Sequence, residues 1–543
     1  MDMTAPKAML TVQTDAGTTR LEVAAGLSVR DALDLSDLRV RAACGGTGSC
    51  GACVVRLLAG DVNPPTPAEF MKLPAEERAQ GKRLACQLRL RGNAEIRLDD
   101  PAPSSAWRSI PAEDLAVLSG GLPDLSRHVY GVAVDLGTTH IRIALWDRRH
   151  GRRIATRRGI NPQAVHGADV LNRLAAAHSR SDRAEELARL ARGAIVHALR
   201  DILARDMGEV KPMLAEIGRV LVVGNTAMLA LLTGCGGDAL MAPENWQRPI
   251  TVHPADSAAW QAEWSLPHAT IVAAPPLAGF VGSDLSADVI ATRLIEGPAG
   301  ALLLDIGTNT EIALWDGQTL HVTSVPGGPA FEGVGIRNGM AAETGAIYRV
   351  APAAAGFACD VLGGGEPRGF CGSGLADAIA VLLRSGIVKP SGRFAASPGE
   401  DGFALDAVNP RTAITGRDID AFQRAKAATT AGMAELLRRA GMAWSDLRRL
   451  CVCGAFGRHL DVANAQAVGL LPGIDPGLIE IHADASLAGC ERALLSPDGD
   501  GLFFRLAALI QPINLSLATD YEDCYIDHLR LRPAPAVPQG RPA

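Results

Sequence analysis

The stretch VAVDLGTTHIRIALWD at residues 132–147 returns about 170 residues later as LLLDIGTNTEIALWD at residues 302–316. Each copy is an apolar run that enters a Gly-Thr turn and comes back as a second apolar run ending in Ile-Ala-Leu-Trp-Asp. That is the pattern of a β-hairpin used twice. Repetition on this scale predicts two similar domains facing each other. Gly137 and Gly307 permit a tight backbone path that points N–H groups at an anion. Thr138, Thr139, Thr308 and Asn309 add side-chain donors, so the paired turns read as a phosphate-binding site. Asp135 and Asp305 are hard oxygen ligands suited to holding Mg²⁺ through water, and are the candidate catalytic carboxylates.

The first hundred residues carry a different chemistry. Alternating runs at 8–13 and 19–23 flank the turn signal Asp15-Ala16-Gly17, and Ser28 is a cap for a short helix through Leu33. Then come Cys44, Cys50 and Cys53 in a glycine-rich loop, a strand from Val54, and Cys86, with spacing C-x5-C-x2-C-x32-C. This arrangement resembles the [2Fe–2S] ferredoxins, with one residue more in the first gap than the plant-type pattern. Gly45, Gly46, Gly48, Gly51 and Ala52 let backbone N–H groups approach cluster sulfurs and tune the potential. A structural zinc site is the alternative, but zinc is usually held by two separated C-x2-C pairs and one is present.

Composition bounds what remains. The 543 residues exceed a single core and imply two to four domains. A net charge of −6 leaves no basic footprint for nucleic acid. No apolar run reaches membrane-spanning length and no signal peptide is visible at the start, so a cytoplasmic location is expected. Of eleven cysteines, the seven outside the N-terminal group are scattered and read as small buried hydrophobes. The histidines are dispersed, and none pairs with another at a short metal-ligand spacing. Tryptophans are read as core residues. Residues 182–192 read as an amphipathic helix with a solvated charged face.

The paired turns resemble the actin/sugar-kinase/Hsp70 superfamily of ATPases. In that superfamily a third, nucleoside-side motif lies near the C-terminus, and Gly454, Ala455, Phe456 and Gly457 within LCVCGAFGR are similar to it. Leu487–Leu494 looks like the helix that joins the lobes. More narrowly, the chain resembles the reductive activators of corrinoid-dependent methyltransferases. The matching stretches are Asn161–Gln163, Gly167–Val170, Val223–Thr226, Gly328–Gly333, Cys371–Gly374 and Ala425–Ala428. Three departures stand out: a linker alone separates ferredoxin and ATPase, Ala483-Asp484 replaces Gly-Asn, and Leu229-Ala230 replaces histidines.

The resemblance implies an α+β β-grasp [2Fe–2S] ferredoxin domain (1–100), a linker (101–128) and a duplicated α/β actin-like (RNase H-like) ATPase. The ATPase comprises lobe I (129–300) and lobe II (301–530, with a return to lobe I), before a disordered tail (531–543). It further implies ATP, Mg²⁺ and the cluster as cofactors, and a corrinoid protein and an upstream electron donor as partners, with a homodimer as a candidate assembly. The implied activity is ATP-dependent reduction of Co(II) to Co(I). An ATP-gated electron carrier without coupled hydrolysis and a redox-regulated small-molecule kinase are the alternatives. Asp305 and Glu332 are candidates to position the attacking water.

Overall fold

The computed structural model describes residues 7–534 except positions 16, 37, 39, 41–47, 49–50, 52, 100–106, 168, 208–209, 254–255, 308, 328, 334 and 355. The N-terminal domain opens with β1 (Lys7–Thr14) and β2 (Gly17–Ala24), an antiparallel pair closed by the expected turn. Helix α1 (Val29–Asp34) follows, and Ser28 Oγ accepts from the Asp31 N–H at 3.1 Å. The sheet is completed by β3 (Val54–Val62), β4 (Lys82–Leu84) and β5 (Leu90–Arg97) in the order β2-β1-β5-β3-β4. Its two central strands, β1 and β5, run parallel, which is the β-grasp arrangement. Leu10, Val12, Leu33, Leu84 and Ile96 fill its core.

The two copies of the repeated motif build two sheets of the same topology. Lobe I contains β6 (Tyr130–Leu136), β7 (His140–Asp147), β8 (Arg152–Ile160), β9 (Ile217–Gly224) and β10 (Thr270–Ala273), ordered β10-β9-β6-β7-β8. Lobe II contains β11 (Ala301–Ile306), β12 (Thr310–Trp315), β13 (Leu320–Val325), β14 (Arg449–Cys453), β15 (Ile479–His482) and β16 (Ile510–Pro512). Its order is β15-β14-β11-β12-β13-β16. In both lobes the middle strand of the initial meander is antiparallel and the two later strands are parallel to the first.

Helices cover these sheets because each has one apolar face. In lobe I, α2 (Ser181–Ile202) buries Leu187, Ala191, Ile195 and Leu199 at helical spacing, extending the helix expected at 182–192. The helices α3 (Thr226–Thr233) and α4 (Ser283–Thr292) complete that lobe. In lobe II, α5 (Gly372–Arg384) and α6 (Gly416–Arg439) are largely buried, and α6 starts at a Thr415/Asp418 capping box. The return crossing is α7 (Ala485–Leu495), whose Leu487, Cys490 and Leu494 pack with Ala133, Ala144 and Val223 of lobe I. Gly489 makes the α4–α7 approach feasible, since a Cβ there would lie 1.8 Å from the Ala287 carbonyl oxygen.

The linker and the C-terminal residues are tied to the lobes. Over 107–128 the linker is pinned along lobe I. Trp107 is 4% exposed, lies on Gly159 and donates its indole N–H to His197 Nδ1 at 3.0 Å. Arg108 and Arg158 exchange backbone hydrogen bonds of 2.9 and 2.7 Å, and Leu122 N–H reaches the Arg148 carbonyl at 2.7 Å. An apolar indole and backbone donors make the segment adhere to lobe I despite its Pro, Ser and Gly content. The tail starts later than 531: Leu531 and Ala534 are buried, and Leu531 N–H donates to the Pro390 carbonyl at 2.8 Å. Residues 535–543 and 101–106 lie outside the described residues. Among the described residues no helix is long and apolar enough to cross a membrane.

Candidate functional site

A cleft of about 510 Å³ opens between the lobes, and every motif singled out for phosphate or nucleoside binding converges on it. Asp135, Gly137, Thr138 and Thr139 enter from lobe I, and Asp305, Gly307 and Asn309 from lobe II. Gly454, Ala455 and Phe456 line the same space. Thr308 lies outside the described residues, and Gly457 sits behind the wall against Val452. The turns are tight: Gly137 N–H donates to the His140 carbonyl at 3.0 Å and Gly307 N–H to the Asn309 carbonyl at 2.9 Å. Gly454 has φ +87°, and a Cβ there would stand 2.7 Å from Asp305 Oδ1. The third motif therefore lies directly on the second turn, and a side chain would push the two apart.

Stretches that carried no assigned role in the sequence buttress the first turn. Asn161 Nδ2 donates to the Gly137 carbonyl at 2.9 Å, and Asn225 Nδ2 to Thr138 Oγ1 at 2.9 Å. Asn225 also caps α3, accepting from the Met228 N–H at 2.9 Å. Arg173 is buried and donates to the carbonyls of Thr138 and Gly167, each at 2.8 Å. It escaped the sequence reading; its signal was an arginine one turn after Asp169, the N-cap of the helix that carries it. Across the cleft, Thr139 Oγ1 donates to Glu332 Oε1 at 3.3 Å, a direct link between lobes.

The electrostatics of the two Asp positions differ. Asp135 accepts from Arg142 Nη1 at 2.8 Å. Burial opposes the Arg142 charge, yet the attraction of Asp135 and this hydrogen bond raise its proton affinity. Asp305 faces Asp284 and Asp288 of α4 and Glu311 of β12. Burial first, then the Asp135 charge, pushes Asp305 up to about 6, while a hydrogen bond from Asp288 and the Arg142 charge work the other way. Burial and the Asp305 charge push Asp284 up to about 8. Glu311 and Asp288 are raised well above the carboxylate range by burial and by the same neighbours. A set of carboxyl groups that burial keeps partly protonated is a donor set for a hard cation, which would replace those protons. Asp305 and Asp284 thus fit Mg²⁺, with the Asp135 carboxylate lining the same cleft.

In the N-terminal domain, Cys53 and Cys86 are buried and brought together by the Ala85 N–H bond to the Cys53 carbonyl at 2.8 Å. Cys44 and Cys50 lie outside the described residues. Gly48 and Gly51 have φ +81° and +73°, the left-handed backbone expected of a loop wrapping a cluster. Gln87 Nε2 donates to Cys86 Sγ at 3.6 Å, as a thiolate ligand would accept. The Arg83–Glu69 ion pair, 2.7 Å long and buried, anchors helix Pro67–Lys72 beside this loop. The thiols and the loop fit a [2Fe–2S] group. A second grouping, Cys451, Glu480 and His482, comes within 4.8 Å, a juxtaposition that residue spacing does not reveal. Both Glu480 oxygens are engaged by Arg449 at 2.8 and 2.7 Å, so it is an ion-pair cluster at a sheet edge.

Fold and site together define a ferredoxin domain joined to a duplicated actin-like domain. Comparison with known proteins makes this specific. Residues 13–91 match the family model of the 2Fe-2S iron-sulfur cluster binding domain, 130–296 the RACo middle region, and 299–538 the C-terminal domain of RACo, the ASKHA domain. The middle-region match falls on the first copy of the repeated fold. The corrinoid activation enzyme RamQ of Eubacterium limosum is 30% identical over 432 residues, covering 73% of this chain and 70% of that protein. The [Co(II) methylated amine-specific corrinoid protein] reductase of Methanosarcina barkeri is 26% identical, covering 72% and 74%. The solved structure of a reductive activator for corrinoid, iron-sulfur protein superposes with a TM-score of 0.64 at 26% identity, covering 97% and 98%. The chain belongs to this family of corrinoid reductive activators.

Proposed function

We propose that this chain reductively activates a corrinoid protein in an ATP-dependent reaction, returning its cobalt from Co(II) to Co(I). The observation that carries the reading is the convergence of both Gly-Thr turns and the Gly454 motif on one cleft, in a chain that also holds the ferredoxin domain. The two Gly-Thr turns cradle phosphates with the groups that follow Gly137 and Gly307, and Gly454–Phe456 lie against the nucleoside. Asp305 and Asp284 would hold Mg²⁺, which neutralises phosphate charge. Asp305 and, opposite it, Glu332 are the candidates to position the attacking water. A [2Fe–2S] cluster at Cys44, Cys50, Cys53 and Cys86, recharged by an upstream donor, supplies one-electron chemistry when bound.

Energy supply explains why the two halves share one chain. Plant-type clusters lie at about −400 mV, so an ordinary cluster needs assistance to produce Co(I). Shifting a two-state balance by roughly 10⁴ requires about 5.5 kcal/mol of differential binding. For one electron, four decades equal about 240 mV, within reach of a nucleotide-linked closure.

The test follows Co(II)-to-Co(I) conversion of a corrinoid protein by its visible spectrum, anaerobically and with a chemical reductant. ATP, no nucleotide and the Cys86→Ser variant are compared. Conversion should require both ATP and the intact cysteine. Equal rates with and without ATP, in protein whose cluster is confirmed by absorbance, would overturn the coupling and favour a gated carrier.

A further inference from the structure

The segment between the ferredoxin domain and lobe I is tied down at two places two residues apart. Asp114, at the end of a short helical turn, forms an ion pair with Arg458 of lobe II. Ala116 N–H donates to Asp484 Oδ2 at 3.1 Å, and Asp484 immediately precedes α7. The Ala116 carbonyl accepts from Arg153 Nη2 at 3.1 Å. Arg153 is itself fixed, its guanidinium binding the buried Glu491 at 2.7 and 2.6 Å and lying 4.7 Å over the Trp146 ring.

Each tie is close to the cleft wall. Arg458 lies between Phe456 and His459, and Asp484 between Ala483 and Ser486; all four neighbours line the cleft. Two residue steps of chain reach about 7 Å when fully extended. The stretch from Asp114 to Ala116 therefore has little slack. A lobe rotation that moves Arg458 of lobe II away from Arg153 of lobe I by more than a few ångströms must break a tie or drag the segment.

The ferredoxin domain sits at the other end of this segment. Its Arg30 forms a buried ion pair with Asp206 of lobe I, and Asp206 also binds Arg157 Nη2 at 2.6 Å. The Arg30 N–H donates to the Ala85 carbonyl at 3.0 Å, one residue from Cys86. The domain is thus held on lobe I while its tether is bolted across to lobe II.

We propose that Asp114–Ala116 is a strap that couples closure of the cleft to the 107–128 segment leading from the ferredoxin domain, with Arg458 and Arg153 as positioning residues on its two sides. This rests on the cleft binding a nucleotide, as proposed above.

Hydrogen exchange of the 107–128 backbone in full-length protein, with and without a non-hydrolysable ATP analogue plus Mg²⁺, tests it alongside calorimetric titration of the analogue. In the unaltered protein the analogue should change exchange around Ala116. In Asp114→Ala that change should shrink by about 5-fold or more, in the range of ordinary coupling between sites, while analogue affinity is retained. The Asp114→Arg/Arg458→Asp pair should restore it. Tight binding with no exchange change in the unaltered protein, or an unaltered change in Asp114→Ala, overturns the strap. Absence of analogue binding overturns the nucleotide reading, and the strap with it.

Discussion

The two hairpins share a sequence and a fold, yet they do not share an electrostatic environment. Asp135 is directly opposite Arg142 in the β6–β7 register, and Asp305 is directly opposite Glu311 in the β11–β12 register. The same position of the repeat is thus a guanidinium in lobe I and a buried carboxyl group in lobe II. The first aspartate is neutralised within its own hairpin. The second is surrounded by Asp284, Asp288 and Glu311, so protons or a metal ion must neutralise it. A duplicated motif fixes where backbone N–H groups point; the charge opposite the aspartate decides what that aspartate does.

The most severe test of this division replaces the two aspartates in turn. Asp305→Asn should reduce phosphate release about 10²- to 10⁴-fold, the range of a lost general base, with the loss in kcat. Asp135→Asn should act mainly on KM for Mg-ATP, because its partner is a fixed arginine. Equal kcat losses in both variants would erase the distinction between the hairpins.

An intermediate effect should show in the pH dependence of stability without divalent metal. Asp305 and Asp284 have folded-state proton affinities raised to about 6 and about 8, so the native state binds more protons than the unfolded chain. Stability is then fully present below the ordinary carboxylate range and is lost as pH rises through those values. The thermal midpoint should drop by a few degrees between pH 5 and 8.5, given that 1 kcal/mol moves Tm by roughly 2–4 °C in a domain of 150–250 residues. Mg²⁺ and Glu311→Gln should each flatten the profile. A midpoint that rises over this window would contradict the carboxyl cluster.

The smallest effect is expected at the seam between the copies. Thr139→Ala removes the hydroxyl that donates to Glu332 across the cleft. Losing one such hydrogen bond costs about 0.5–1.5 kcal/mol, so analogue affinity should weaken up to about 10-fold by calorimetry. Asn309→Ala, at the counterpart position, has no such bridge among the described residues and should weaken it less.

Much of the site was legible because its signals are local. Turn glycines, strand periodicity and a repeated sixteen-residue pattern are properties of neighbouring residues, and the cleft contains Asp135, Gly137, Thr138, Thr139, Asp305, Gly307, Asn309, Gly454, Ala455 and Phe456 together. The Ser28 cap and the helix behind it are equally local. The attachment of the linker was not legible for the same reason. Its composition is that of a tether, while Trp107 and the Arg108 backbone find partners on β8 and α2, which begin some 45 residues or more away.

The sequence alone determined that there are two matching Gly-Thr turns, a ferredoxin-like loop of three cysteines and a third glycine motif, because each depends on the conformational freedom and chemistry of residues adjacent in the chain. Only the tertiary structure decided that Arg173 and Asn225 support the first turn, that Asp284 and Asp288 surround the second, and that Asp114 is paired with Arg458. Those are effects of burial and through-space charge between distant segments, and neither quantity exists until the chain has folded.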